Sequence, residues 1–162
     1  MVKFAACVAG VLAAFAGAAL ASSVSPTGWE FAKWGMTSAQ VRAASHGAVH
    51  QGSADGAYDV MPREYIMGQF RFNVTFDYRS RSNFEPQDLV LEAVSLDLDA
   101  KSGTCAQLDA YLRSIYGKPA RTSASGPAGD DWSTKQLGDV SYSTWDGKKC
   151  TLLYMAYGTA NQ

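Results

Sequence analysis

The sequence predicts an α+β domain in which an antiparallel sheet has one face covered by two helices. Three observations point there. Phe70, Phe72, Val74, Phe76 and Tyr78 alternate with Gln69, Arg71, Asn73, Thr75 and Asp77, the period-two pattern of a strand with one buried and one wet face. Such clean alternation belongs to antiparallel sheets, because strands of parallel sheets are buried on both faces and read as continuous apolar runs. Two segments, opening at Thr37 and Thr104, carry helix-start signals and can supply the cover.

Taken in chain order, the first element is an export signal. Met1-Val2-Lys3 carries one positive charge, Phe4 to Leu20 follows with no charged residue, and Ala19-Leu20-Ala21 precedes Ser22-Ser23. This is the layout of a secretory signal peptide cleaved after Ala21. The run is short for a spanning helix and no stop-transfer cluster follows it, so no transmembrane segment is expected after cleavage. Cys7 leaves with the signal. Ser22 to Gly28 is polar and turn-rich and reads as a tail or linker, leaving 29–162 as a single domain.

Thr37 and Gln40 have capping-box spacing, and Met36 and Val41 stand where a hydrophobic staple would close over the cap. That helix should run about ten residues and stop near Gly47. Tyr58 to Met61 and Glu64 to Met67 are weak strand signals, followed by the alternating strand through Tyr78. Leu89 to Leu98 predicts a strand with Val94, Leu96 and Leu98 inward. Thr104 and Gln107 repeat the capping box, Cys105, Leu108, Leu112 and Ile115 recur at helical spacing, and Gly117 with Pro119 ends the helix. Pro119 to Asp131, rich in Ser, Ala and Gly, reads as a long surface connection. Asp131 to Lys135 is a further weak strand, and Val140 to Trp145 with Cys150 to Tyr157 predicts a hairpin turning at Asp146-Gly147. The order helix, strands, helix, strands suggests two divergent helix-plus-strands copies.

Composition bounds the function. Of 162 residues 47% are hydrophobic and 18% charged, and the net charge is −1, which excludes a disordered polymer and a basic nucleic-acid binder. Loss of Lys3 makes the charge one unit more negative, too little to specify a charged partner. Cys105 and Cys150 remain in a chain bound for an oxidising compartment, and a pair has one intramolecular connectivity. The predicted bridge closes a loop of about 46 residues and contributes roughly 4 kcal/mol in the chain-entropy model.

Trp34-Gly35-Met36-Thr37 with Val41 after it, a helix ending in Tyr116-Gly117-Lys118-Pro119, and the later Trp132 and Tyr154 resemble small exported bacterial proteins of the beta-lactamase-inhibitor-like fold group. That group includes the small outer-membrane assembly lipoproteins, and the resemblance implies binding to another protein. The chain departs from the lipoprotein branch in having no lipobox cysteine after its signal.

Chemistry-bearing patterns are sparse. His46 and His50 are four apart but separated by Gly47, so two solvated loop histidines are expected, with Asp55 and Asp59 the nearest acids. Asp97, Asp99 and Lys101 imitate the start of a calcium loop, yet its sixth position is Ser102 and its twelfth Leu108, so Asp99 and Ser102 are expected to form the turn before the second helix. No Gly-x-Ser-x-Gly or glycine-rich phosphate loop occurs, and Asp130 and Asp131 should point to opposite faces of a strand. No catalytic residue, cofactor or metal is therefore assigned. Tyr142 and Trp145 differ by three along one strand, so with Tyr157 they cannot share a face. These aromatics, with Arg79 and Arg81, form the candidate binding surface unless Trp29 and Phe31 cover them.

The expected function is that of a non-catalytic periplasmic or secreted protein that binds another protein or an envelope component. The alternatives are an inhibitor or immunity protein against a secreted hydrolase, presenting Ala48 to Ala57 or Pro119 to Asp131, and a hydrolase with a carboxylate site.

Overall fold

The computed structural model describes residues 24–25, 27–80, 89–123, 128–134 and 138–156. The expected signal peptide, Arg81 and Tyr157 lie outside the described residues. The elements run β1 (Val24–Ser25), β2 (Gly28–Trp29), β3 (Ala32–Lys33), α1 (Ser38–Ala44), β4 (His50–Gln51), β5 (Tyr58–Met67), β6 (Phe70–Ser80), β7 (Leu89–Leu98), α2 (Cys105–Tyr116), β8 (Arg121–Ser123), β9 (Ala128–Thr134), β10 (Gly138–Trp145) and β11 (Lys149–Met155). Strands β4 to β11 make one antiparallel sheet in the order β4-β5-β6-β7-β11-β10-β9-β8, and β1 to β3 make a small separate one. The chain is thus α+β, dominated by antiparallel strands.

Alternation sets the core. Phe70, Phe72, Val74, Phe76 and Tyr78 of β6 are buried, and the register carries the buried rows across the sheet: Val74 opposes Leu96, which opposes Leu152, which opposes Tyr142. Both helices begin as the capping boxes predict, with Thr37 accepting from the Gln40 amide and Thr104 from the Gln107 amide. Val41 of α1 and Cys105, Leu108 and Leu112 of α2 are buried with those strand residues. Tyr111 packs on Phe70 and Tyr116 on Trp132, with ring centroids 5.4 and 5.8 Å apart. The Trp132 indole donates to the Gly117 carbonyl at 2.9 Å, tying the end of α2 to β9. Cys105 and Cys150 stand at disulfide distance, their Cα atoms 5.7 Å apart.

Several expectations are revised. Helix α1 ends at Ala44; His46 and Gly47 both adopt positive φ and turn the chain out of the helix. Ile115, expected on the apolar face, is exposed although it lies about 20° around the helix from buried Leu108, and Tyr116 of the last turn packs on the core instead. The two weak signals before Phe70 are one strand, β5, with a register shift between Met61 and Tyr65 around Pro62. Pro119 to Asp131 is not a long connection: it contains β8 and the first half of β9, paired through Arg121 with Asp131 and Thr122 with Asp130. Within the expected tail, Val24–Ser25 and Gly28 pair in the small sheet.

That small sheet holds Trp29, which is buried and packs edge-on against Tyr65 and Phe76 at 5.0 and 5.7 Å. The Trp34-Gly35-Met36 stretch then pairs with β7: the Gly35 amide donates to the Leu91 carbonyl at 2.9 Å, and the Leu91 amide to the Met36 carbonyl at 2.7 Å. Gly35 has φ 84, which favours glycine there.

Candidate functional site

The residues between the buried ones form the other register set of the sheet. On β6 these are Arg71, Asn73, Thr75, Asp77 and Arg79; on β11, Lys149, Thr151, Leu153 and Met155; on β10, Ser141, Ser143 and Trp145, with Asp139 in the same register set but itself buried. Paired rows cross the molecule on this polar face. One runs Thr75, Ser95, Leu153, Ser141, Asp131, Arg121, and the next runs Asp77, Ala93, Met155, Asp139, Ser133. Hydroxyls partner the carboxylates: Ser95 donates to Asp77 at 2.6 Å and Thr151 to Asp97 at 2.5 Å. At the margins, Arg79 pairs with Glu92 at 2.9 Å and Arg71 with Glu64 at 3.3 Å.

Leu153 and Met155 form a short apolar ridge in this surface, and a hollow lies on each side. One, of about 360 Å³, is lined by Asp77, Glu92, Ser95, Leu153 and Met155 among others. The second, of about 220 Å³, is lined by Arg121, Asp131, Asp139, Ser141 and Met155 among others. Asp77 and Asp139 occupy one row three strand spacings apart, about 14 Å, with Ala93 and Met155 between them.

The candidate residues separate. Trp145 is 59% exposed and belongs to the polar face. Tyr142 leaves the candidate surface: it is buried on the opposite side, and its hydroxyl donates to the Cys105 carbonyl at 2.9 Å. Burial raises its phenol pKa to about 12, with Asp109 and Asp130 adding to the shift. Arg79 shares the polar face with Trp145 but sits at the other end, roughly eight residues along the strands or about 25 Å away, so the two do not form one cluster. Trp29 and Phe31 lie against Phe76, away from the β10–β11 hairpin that carries Trp145.

The other polar candidates are spread over the molecule. His46 and His50 are exposed, and His50 pairs with Val60 in the sheet edge. Asp99 accepts the Lys101 amide and, through its carbonyl, the Ser102 hydroxyl, building the turn before α2. Asp130 and Asp131 point oppositely, Asp130 into the α2 side with Arg113 and Asp131 among the polar rows beside Ser141. Among the described residues no three acidic, histidine or cysteine side chains are grouped to hold a metal ion.

Sequence reading did not anticipate three buried carboxylates, Asp59, Asp130 and Asp139. Asp59 is fully buried on β5, and its Oδ2 accepts from Ser38 and from Tyr78, each at 2.8 Å. Burial, then Asp59, pushes the Tyr78 phenol far above the ordinary tyrosine range. Asp130 is its counterpart beside α2. None of the three has a local signal, because the direction in which each points is fixed only by strand register.

The chain matches no protein-family model, no curated protein and no solved structure.

Proposed function

We propose that this is a non-catalytic exported protein that binds another protein or an envelope component through the polar face of its sheet. The observation that carries the reading is the Leu153–Met155 ridge with a carboxylate-lined hollow on each side. An apolar strip framed by polar groups is the ordinary anatomy of a protein-binding surface, with a desolvated centre and a hydrated rim. The rim carries both signs, Asp77 and Glu92 with Arg79 in one hollow and Asp131 with Arg121 in the other, which suits a partner whose apolar contact is framed by polar groups of both signs. Export rests on the leader pattern of residues 1–21 and on the Cys105–Cys150 pair, which favours an oxidising compartment. Among the described residues no helix is long and apolar enough to cross a membrane.

The architecture we attach to this reading is a sheet covered on one side by α1 and α2 and open on the other. It is built from two copies, α1 with β4 to β7 and α2 with β8 to β11. Both units open with a threonine-glutamine capping box and then run through four strands, and their last strands, β7 and β11, pair at the centre.

The test is capture from the native envelope with Leu153→Arg and Met155→Arg beside Ile115→Arg, a control on the exposed surface of α2. The reading expects a partner retained by the wild type and Ile115→Arg but lost by both ridge variants. Equal capture by all four proteins overturns it. Mass spectrometry of the recovered protein should give an N-terminus at Ser22 and a mass two hydrogens short of the dithiol.

A further inference from the structure

A third concavity lies away from the polar face, where α2 begins. It measures about 290 Å³, and Ala106, Asp109 and Arg113 of α2 face Thr122, Asp130 and Tyr142 of the strands across it. Room is left by small residues, Ala106 on the helix and Ala128 and Gly129 on β9.

Its charges do not balance. Arg113 is the one cation among the lining residues, and two carboxylates share it. The Arg113 Nε contacts both Asp109 oxygens at 3.1 Å, and Nη2 pairs with Asp130. Asp130 is 2% exposed, and its Oδ1 also accepts the Thr122 hydroxyl at 2.8 Å. With two acids and one guanidinium the lining carries one net negative charge, which a cation would neutralise and an anion would oppose. The Tyr142 phenol registers the same field: after burial, Asp109 and Asp130 both favour its neutral form. Of the three charged groups only Asp130 is buried; Arg113 and Asp109 remain part-exposed at the mouth of the cavity, where an entering ligand meets them.

We propose that this cavity binds a small organic cation, an ammonium head carried on an apolar body. The head pairs with Asp109 and Asp130 at the Arg113 bridge, and the body lies along Ala106, Ala128 and Gly129. The size is at the low end for ligand pockets, which suits a compact amine and excludes a nucleotide. The site is independent of the polar face.

The experiment is an amide-resolved NMR titration of the mature chain with phenethylamine, using 3-phenylpropionate as an anion of similar size. The proposal expects saturable shifts at Gly129, Tyr142 and Thr144 with the amine and none with the anion. Asp109→Asn should weaken the amine about tenfold, the effect of losing one charge-assisted contact. Ala106→Trp, a substitution at an exposed helix position, should fill the cavity and abolish binding while the rest of the spectrum is kept. Absence of saturable shifts, an equal response to the anion, or unchanged affinity in both variants overturns it.

Discussion

Tyr142 stands three residues before Trp145 on β10, and that odd spacing sends one side chain into the interior and the other to solvent. The separation was readable from the sequence; which of the two faces inward was not, because it depends on the register with Leu152 and Asp130. Inside, the Tyr142 phenol has a raised pKa of about 12, against about 10 in an unfolded chain. A folded-state pKa above the unfolded one gives stability that is complete below pH about 10 and is lost as pH climbs through about 12. Tyr142→Phe should cost about 1 kcal/mol at neutral pH, the net value of its bond to the Cys105 carbonyl, and should reduce the fall in melting temperature over that alkaline window. Tyr78 and Tyr154 are shifted upward as well, so part of the fall should remain. A melting profile in which the variant keeps the full wild-type slope contradicts this account.

Among the elements, the helices were legible because their signals are local: a threonine, a glutamine three residues on, and a terminating glycine. Loss of either cap by Thr37→Ala or Thr104→Ala should destabilise the fold by about 1 kcal/mol in urea titration, and the two losses should add, since the caps belong to separate helices. The sheet edges were harder to read. Strand β8 has no buried residue and takes its form from pairing with β9, so composition alone made it a loop. On the opposite edge, β4 covers only Asp59 and Val60 of β5, leaving the stretch from Met61 to Met67 at the margin. Pro62 lacks an amide there, and Arg63 and Glu64 place charges where an added strand would approach, a common defence against edge-to-edge association. Replacing Pro62, Arg63 and Glu64 together with Val, Thr and Thr should produce concentration-dependent oligomers in light scattering. A strictly monomeric triple variant would show that the edge is guarded by something else.

Across the whole molecule the two sides of the β7–β11 seam are secured by different means. The β4–β7 side has Trp29 driven against Tyr65 and Phe76, with Gly35 and Met36 paired onto β7. On the β8–β11 side, β8 is short and exposed and Asp130 is an inward-facing charge, and here the Cys105–Cys150 pair ties the first turn of α2 to β11. A covalent tie matters most where apolar burial is thin, because it removes conformations from the unfolded chain without needing more core. Replacing both cysteines with Ala should therefore lower stability by up to about 4 kcal/mol, and the loss should be uneven. Amide exchange should accelerate first in α2, β8 and β9 while β6 and β7 stay protected. Trp29→Ala, a large truncation worth about 3–5 kcal/mol, should do the reverse and loosen β5 and α1 before α2. If both variants accelerate exchange evenly over all eight strands of the main sheet, the two sides form one cooperative unit and the division of labour between indole and bridge fails.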